Sequence, residues 1–142
     1  MAVNFDKLLD AFETVSLSAG ADNTVYLCQQ TGTTYWRSDY PDFKELQDEL
    51  PDDIEDETKY IRVPNRYELD LGKALVFDFV REVLPEDYDD VRHFMGRRGG
   101  YRNFRALVER RRVLERWYTF EKEATHNALR NWCEVNGIEL TE

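Results

Sequence analysis

Only two cysteines, Cys28 and Cys133, occur in 142 residues, and they lie near opposite ends of the chain in apolar company. That excludes a disulfide framework and points to buried, reduced thiols, and with them to the cytoplasm. Long apolar runs are missing too. The longest, such as Ala74–Phe77, fall far short of the ~20 residues that a bilayer span requires, and acids interrupt the apolar pattern of Met1–Phe12. No signal peptide and no membrane segment is expected.

Histidine is equally scarce, so a zinc site would need both His93 and His126 together with both cysteines. His126 and Cys133 stand seven apart on one predicted helix, roughly 10 Å along its axis, and neither has a close ligand partner in sequence. We expect no metal at Cys28, His93, His126 or Cys133. Signature motifs are absent as well: no serine sits in a G-x-S-x-G elbow, and there is no Walker sequence and no dinucleotide fingerprint. No cofactor is expected. With 29 acidic residues, any chosen carboxylate pair is uninformative about acid–base chemistry.

What is present suffices for one ordinary core, since 42% of the residues are hydrophobic and 13% aromatic, and the length suits a single domain over residues 1–142. Phe5, Leu8, Leu9, Phe12 and Val15 follow the spacing of an amphipathic helix, and Asn4 is placed to cap it. After a break at Gly20–Asn23, the segments Thr24–Gln29 and Thr33–Ser38 read as a β-hairpin. A two-residue turn at Thr31 and Gly32 would set Leu27 opposite Trp36. Residues 39–59 form an acidic linker, with a short helix conceivable over Pro41–Leu50. Tyr60–Val63, closed by Pro64, suits a third strand.

The remainder reads as helices. Asp70 is a candidate cap for a helix through Leu71, Leu75, Val76, Phe79, Val80 and Val83, and a shorter helix over Glu86–Met95 ends at Gly96, Gly99 and Gly100. Helices over Tyr101–Glu109 and Leu114–Asn136 follow, the last with Trp117, Phe120, Ala124, Ala128, Trp132 and Val135 on one face and Gly137 as its cap. The expected class is α+β. A small antiparallel sheet, made of the hairpin and the third strand, packs with about five to six helices, and the C-terminal half is all-α. Trp36, Phe79, Trp117 and Trp132 should be buried in one core.

Particular residues carry a resemblance. Tyr60, Ile61, Val63, Pro64, Arg66 and Tyr67, then Arg98, Gly99, Tyr101, Arg102 and Phe104, then Trp117, Tyr118 and Phe120, and finally Trp132, Asn136, Gly137 and Ile138 resemble a bacterial family catalogued as uncharacterised protein family 0158. The sequence departs from that pattern at Arg97 and Asn103, where the family places glycine and a base. The resemblance implies one compact domain of bacterial or phage origin and no assigned activity.

Charge is the most uneven property. Residues 1–91 hold 22 acids and 8 bases, residues 92–116 hold 2 acids and 9 arginines, and residues 117–142 hold 5 acids and 2 bases, within a net charge of -10. The overall sign argues against nucleic-acid binding by the molecule at large. The arginine segment argues for a local anion site, because guanidinium is suited to bidentate contact with phosphate or carboxylate. Arg97, Arg98, Gly99, Gly100, Tyr101, Arg102 and Arg105 are its candidate residues, with small residues for close approach and Tyr101 for stacking a base.

The same arginines could instead pair with the ten acids of Asp39–Glu57, leaving weak surface ion pairs. The expected function is a non-catalytic binding or regulatory module that recognises an anionic partner, either nucleic acid or an acidic protein segment. Two alternatives stand beside it. One is an acidic interaction protein that presents residues 39–57 to a basic surface as a nucleic-acid mimic, and the other is an enzyme of unrecognised type.

Overall fold

A computed structural model describes residues 2–16, 23–39 and 48–141. Residues 20–22 of the expected break and residues 41–47 of the conceivable short helix lie outside them. Among the described residues the class is α+β. Five α-helices accompany a three-stranded antiparallel sheet and a two-stranded parallel one. The chain divides into a terminal unit, Met1–Leu69 with Ala128–Glu142, and a central unit, Asp70–Asn127. No helix among the described residues is long and apolar enough to cross a membrane.

In the terminal unit, strand β1 (Ala2–Asn4) leads directly into helix α1 (Phe5–Val15). The Asn4 side chain caps α1 as its sequence position suggests, accepting a hydrogen bond from the Lys7 amide at 3.2 Å. Phe5, Leu8, Ala11, Phe12 and Val15 are buried along one face. Strands β2 (Asn23–Cys28) and β3 (Thr34–Ser38) form the hairpin, and β4 (Tyr60–Arg62) joins the free edge of β2, giving the order β3–β2–β4.

The hairpin register differs from the expected one. Leu27 pairs with Thr34, and Val25 pairs with Trp36. The cause is a four-residue loop: the Gly32 amide donates to the Cys28 carbonyl and the Cys28 amide to the Thr33 carbonyl, both at 2.8 Å. Gly32 closes that loop at φ 75°, a left-handed conformation that glycine adopts without strain. Because the pairing moved by two residues, every side chain keeps its face. Val25 and Leu27 remain buried.

The carboxylate of Asp53 fastens the approach to β4. It accepts from Lys59 Nζ at 2.9 Å and from the Tyr60 hydroxyl at 3.0 Å. These bonds hold the Asp53 carboxyl below its usual range. The phenol of Tyr60 is pushed up to about 12, first by burial and then by the bond to Asp53.

The C-terminal half is not all-α. Strand β5 (Glu139–Thr141) pairs in parallel with β1, Val3 opposite Leu140. Three-residue strands at the two ends of a chain leave no periodicity from which their pairing can be read. Before β5, Gly137 ends the last helix as expected. Its amide donates to Glu134 and the Ile138 amide to the Cys133 carbonyl at 2.8 Å, the double bond pattern of a Schellman cap.

The central unit is helical: α2 (Lys73–Val83), a 3-10 turn at Pro85–Asp87, α3 (Tyr88–Met95), α4 (Gly100–Arg110) and the first part of α5 (Leu114–Val135). Asp70 does not cap α2. It adopts φ 57° in the preceding turn, and Gly72 occupies the cap position without a side-chain hydrogen bond. The core gathers Val76, Phe79, Val80, Val91, Met95, Phe104 and Val108. Its centre is aromatic, with the Trp117 ring 4.9 Å from Phe104 and 5.3 Å from Phe79, both edge-on.

One acid is built into this unit. Asp87 is 7% exposed and takes both ends of the Arg111 guanidinium, at 2.8 and 3.1 Å. Arg112 then turns the chain at φ 61° between α4 and α5.

The four aromatics expected in one core divide between the units. Phe79 and Trp117 share the central cluster, whereas Trp36 and Trp132 are half-buried residues of the terminal unit. Val135, expected inward, is 76% exposed. The buried line of α5 starts at Trp117 and ends at Leu129 and Cys133, which at 100° per residue lie about 120° and 160° further around the helix. A stripe extrapolated from its first half therefore misses the second.

Burial pushes the Cys133 thiol up from 9.0 to about 11. An unfolded thiol releases its proton first, so folding stability should fall as pH rises from about 9 to about 11. Melting temperatures across this range should decline less steeply for Cys133→Ala than for the parent. An identical slope would show that the thiol does not titrate this way.

Candidate anion site

Helix α3 ends at Met95, and four residues carry the chain to α4. Gly99 makes the turn at φ 80°. Gly100, the first residue of α4, is buried, and a Cβ built on it would lie 2.9 Å from both Met95 Cα and the Phe94 carbonyl oxygen. Those are backbone atoms that cannot give way cheaply, so this crossing requires glycine. Phe104, Leu107 and Val108 bury the inner face of α4, which leaves Arg102 and Arg105 exposed.

With glycine at the cap, no side chain satisfies the start of α4. The Asn103 amide donates to the Gly99 carbonyl at 3.1 Å. The amides of Gly100 and Arg102 have no hydrogen-bond partner among the described residues. Such amides carry the positive end of the helix dipole.

These groups border a cavity of about 330 Å³, lined by Arg97, Gly99, Gly100, Tyr101 and Arg102 together with Lys73 and Met95. Lys73 is the first residue of α2, so the positive ends of two helices and three side-chain cations meet at one hollow. Arg97 and Arg102 have no ion-pair partner among the described residues, and neither does Lys73. Tyr101 is 48% exposed at the rim.

The seven residues singled out from sequence thus separate. Five line the cavity. Arg98 is exposed in the turn and does not line it. Arg105 points its Nε at Glu109 Oε1, 3.1 Å away, and this bond raises the guanidinium pKa further. Lys73 was missed because it is an isolated base more than twenty positions upstream, invisible to a count of neighbouring charges.

Four of the described acids of residues 39–57, Asp53 among them, have partners of their own within the terminal unit. Asp48 accepts from the Trp36 amide at 2.8 Å, Asp56 accepts from the Thr58 amide and hydroxyl, and Glu55 lies 3.7 Å from Arg37. Among the described residues no three His, Cys, Asp or Glu side chains are grouped to hold a metal ion.

A second and larger cavity lies in the terminal unit between α1 and the hairpin. Its lining comes from three separate stretches of sequence, residues 7–14, 23–25 and 31–36, and no local motif announces it.

Comparison with known families gives a match to Uncharacterised protein family (UPF0158) over residues 1–141, well beyond the residues from Tyr60 onward that carry the resemblance in sequence. No curated protein and no solved structure matches the chain.

Gly100→Ala should destabilise the protein by about 1–3 kcal/mol through overpacking against Met95 and Phe94. Urea unfolding measures this directly. A variant as stable as the parent would mean that α3 and α4 do not approach this closely.

Proposed function

We propose, for a chain that belongs to this family by a match over nearly its whole length, that it is a non-catalytic binding or regulatory module whose central unit recognises an anionic group. The observation that carries this reading is the convergence of Lys73, Arg97 and Arg102 on the uncapped start of α4. Three cations without acid partners repel one another, and a phosphate or carboxylate in the hollow would neutralise them while accepting from the open amides. Tyr101 at the rim adds a flat surface for a base or a peptide side chain.

The net charge of -10 does not oppose a site of this size. At physiological ionic strength charges are screened over about 8 Å, so distant acids count for little against cations in direct contact. The reading in which residues 39–57 form the recognition face has less support. Asp48, Asp53, Glu55 and Asp56 already serve internal contacts, and these hold strand β3 and the approach to β4.

Fluorescence anisotropy with labelled single-stranded RNA, duplex DNA and an acidic peptide tests the proposal. At low salt at least one of the three should bind, with affinity falling as salt rises. The Arg97→Ala, Arg102→Ala double variant should lose about tenfold or more, since charged hydrogen bonds contribute about 1.5–3 kcal/mol each, while Arg105→Ala should change little. Failure of all three ligands, or equal binding by the double variant, would remove the site.

A further inference from the structure

We propose that the cavity between α1 and the β2–β3 hairpin binds a small zwitterion with an apolar body, namely a free α-amino acid with an aromatic or branched side chain. Its volume is about 730 Å³, and small-molecule sites typically span about 300–1,000 Å³. One wall is α1, which contributes Lys7 and Asp10. These residues are three apart and therefore neighbours on one helix face. Neither has an ion-pair partner within 4.0 Å among the described residues, and they do not pair with each other.

The remaining surface is fixed and largely apolar. Trp36 is pinned from two sides: its Nε1–H donates to Asn23 Oδ1 at 3.0 Å, and its backbone amide donates to Asp48 Oδ2 at 2.8 Å. Val25, buried on β2, adds apolar lining. Thr31 and Thr33 form the hairpin side, their hydroxyls bonded to each other at 3.0 Å. A ring held in place this way loses little entropy when a ligand packs on it.

Charge complementarity selects the occupant. A simple anion that meets Lys7 is repelled by Asp10, and a simple amine meets the reverse. A molecule carrying both a carboxylate and an ammonium uses both residues, while its apolar body covers Trp36 and Val25. The site is built wholly from the terminal unit and is independent of the anion site.

Amide chemical-shift mapping of the full chain tests this with L-phenylalanine and L-leucine, beside N-acetyl-L-phenylalanine, which lacks the ammonium, and L-phenylalaninamide, which lacks the carboxylate. A free amino acid should give saturable shifts at Ala11, Trp36 and Thr31–Thr34, and both blocked analogues should bind about tenfold more weakly or worse. Lys7→Gln should weaken L-phenylalanine about tenfold and leave the amide unchanged, and Asp10→Asn should do the same for L-phenylalanine while sparing the N-acetyl analogue. Both substitutions fall on exposed helix positions, and the unshifted spectra of the variants report whether they fold. No saturable shift up to about 10 mM, which is negligible affinity, would overturn the proposal. So would shifts confined elsewhere, a blocked analogue binding as tightly as the free amino acid, or variants that bind like the parent.

Discussion

The approach of Gly100 to the end of α3 is the contact on which the central unit's surface depends. A Cβ at this position would meet backbone at 2.9 Å, so the chain must start α4 on glycine, with a second glycine in the left-handed cap. Two glycines supply no side-chain oxygen to cap the first turn. The same requirement for tight packing thus produces an uncapped helix start and sets it beside the side chains of Arg97 and Arg102. Asn4 caps the start of α1 and Gly137 the end of α5, while α2, like α4, starts on a glycine cap without a side-chain bond.

Linear charge describes this surface only in part. The arginines of residues 92–116 look uniform in sequence, yet folding sorts them. Arg111 is consumed by the buried carboxylate of Asp87, Arg105 lies along its own helix against Glu109, and Arg97 and Arg102 are left for the hollow. An isolated Lys73, unremarkable in sequence, joins them because α2 begins there. What decides a residue's part is its place on a helix and the acid within reach, which no sum over a segment contains.

Much of the fold was legible because apolar periodicity and capping chemistry act locally. The places of α1, the hairpin strands and α5 follow to within a residue from spacing, Asn4 and Gly137. Features that depend on distant partners were not. The parallel pairing of β1 with β5 joins the ends of the chain, and the four-residue hairpin loop is chosen by Gly32 rather than by the strands it connects. Helix α5 buries different faces in its two halves, so Val135 is exposed although it continues the stripe begun at Trp117. The candidate anion site was half legible: its arginines and glycines are contiguous, but Lys73 and the open amides need the fold. The cavity beside Trp36 was not legible at all, since Lys7, Asp10, Val25 and the Thr31–Thr34 loop meet only in three dimensions.

The central claim is that the start of α4 holds an anion through backbone amides as well as side chains. Titration of the intact protein with inorganic phosphate at low salt, followed by amide resonances, tests it most directly. The amides of Gly100 and Arg102 should shift downfield and saturate, as hydrogen bonds to an oxyanion require, and the Arg97→Ala, Arg102→Ala variant should lose the saturable part. Phosphate that leaves both amides unmoved would contradict the account, even if arginines elsewhere on the surface respond.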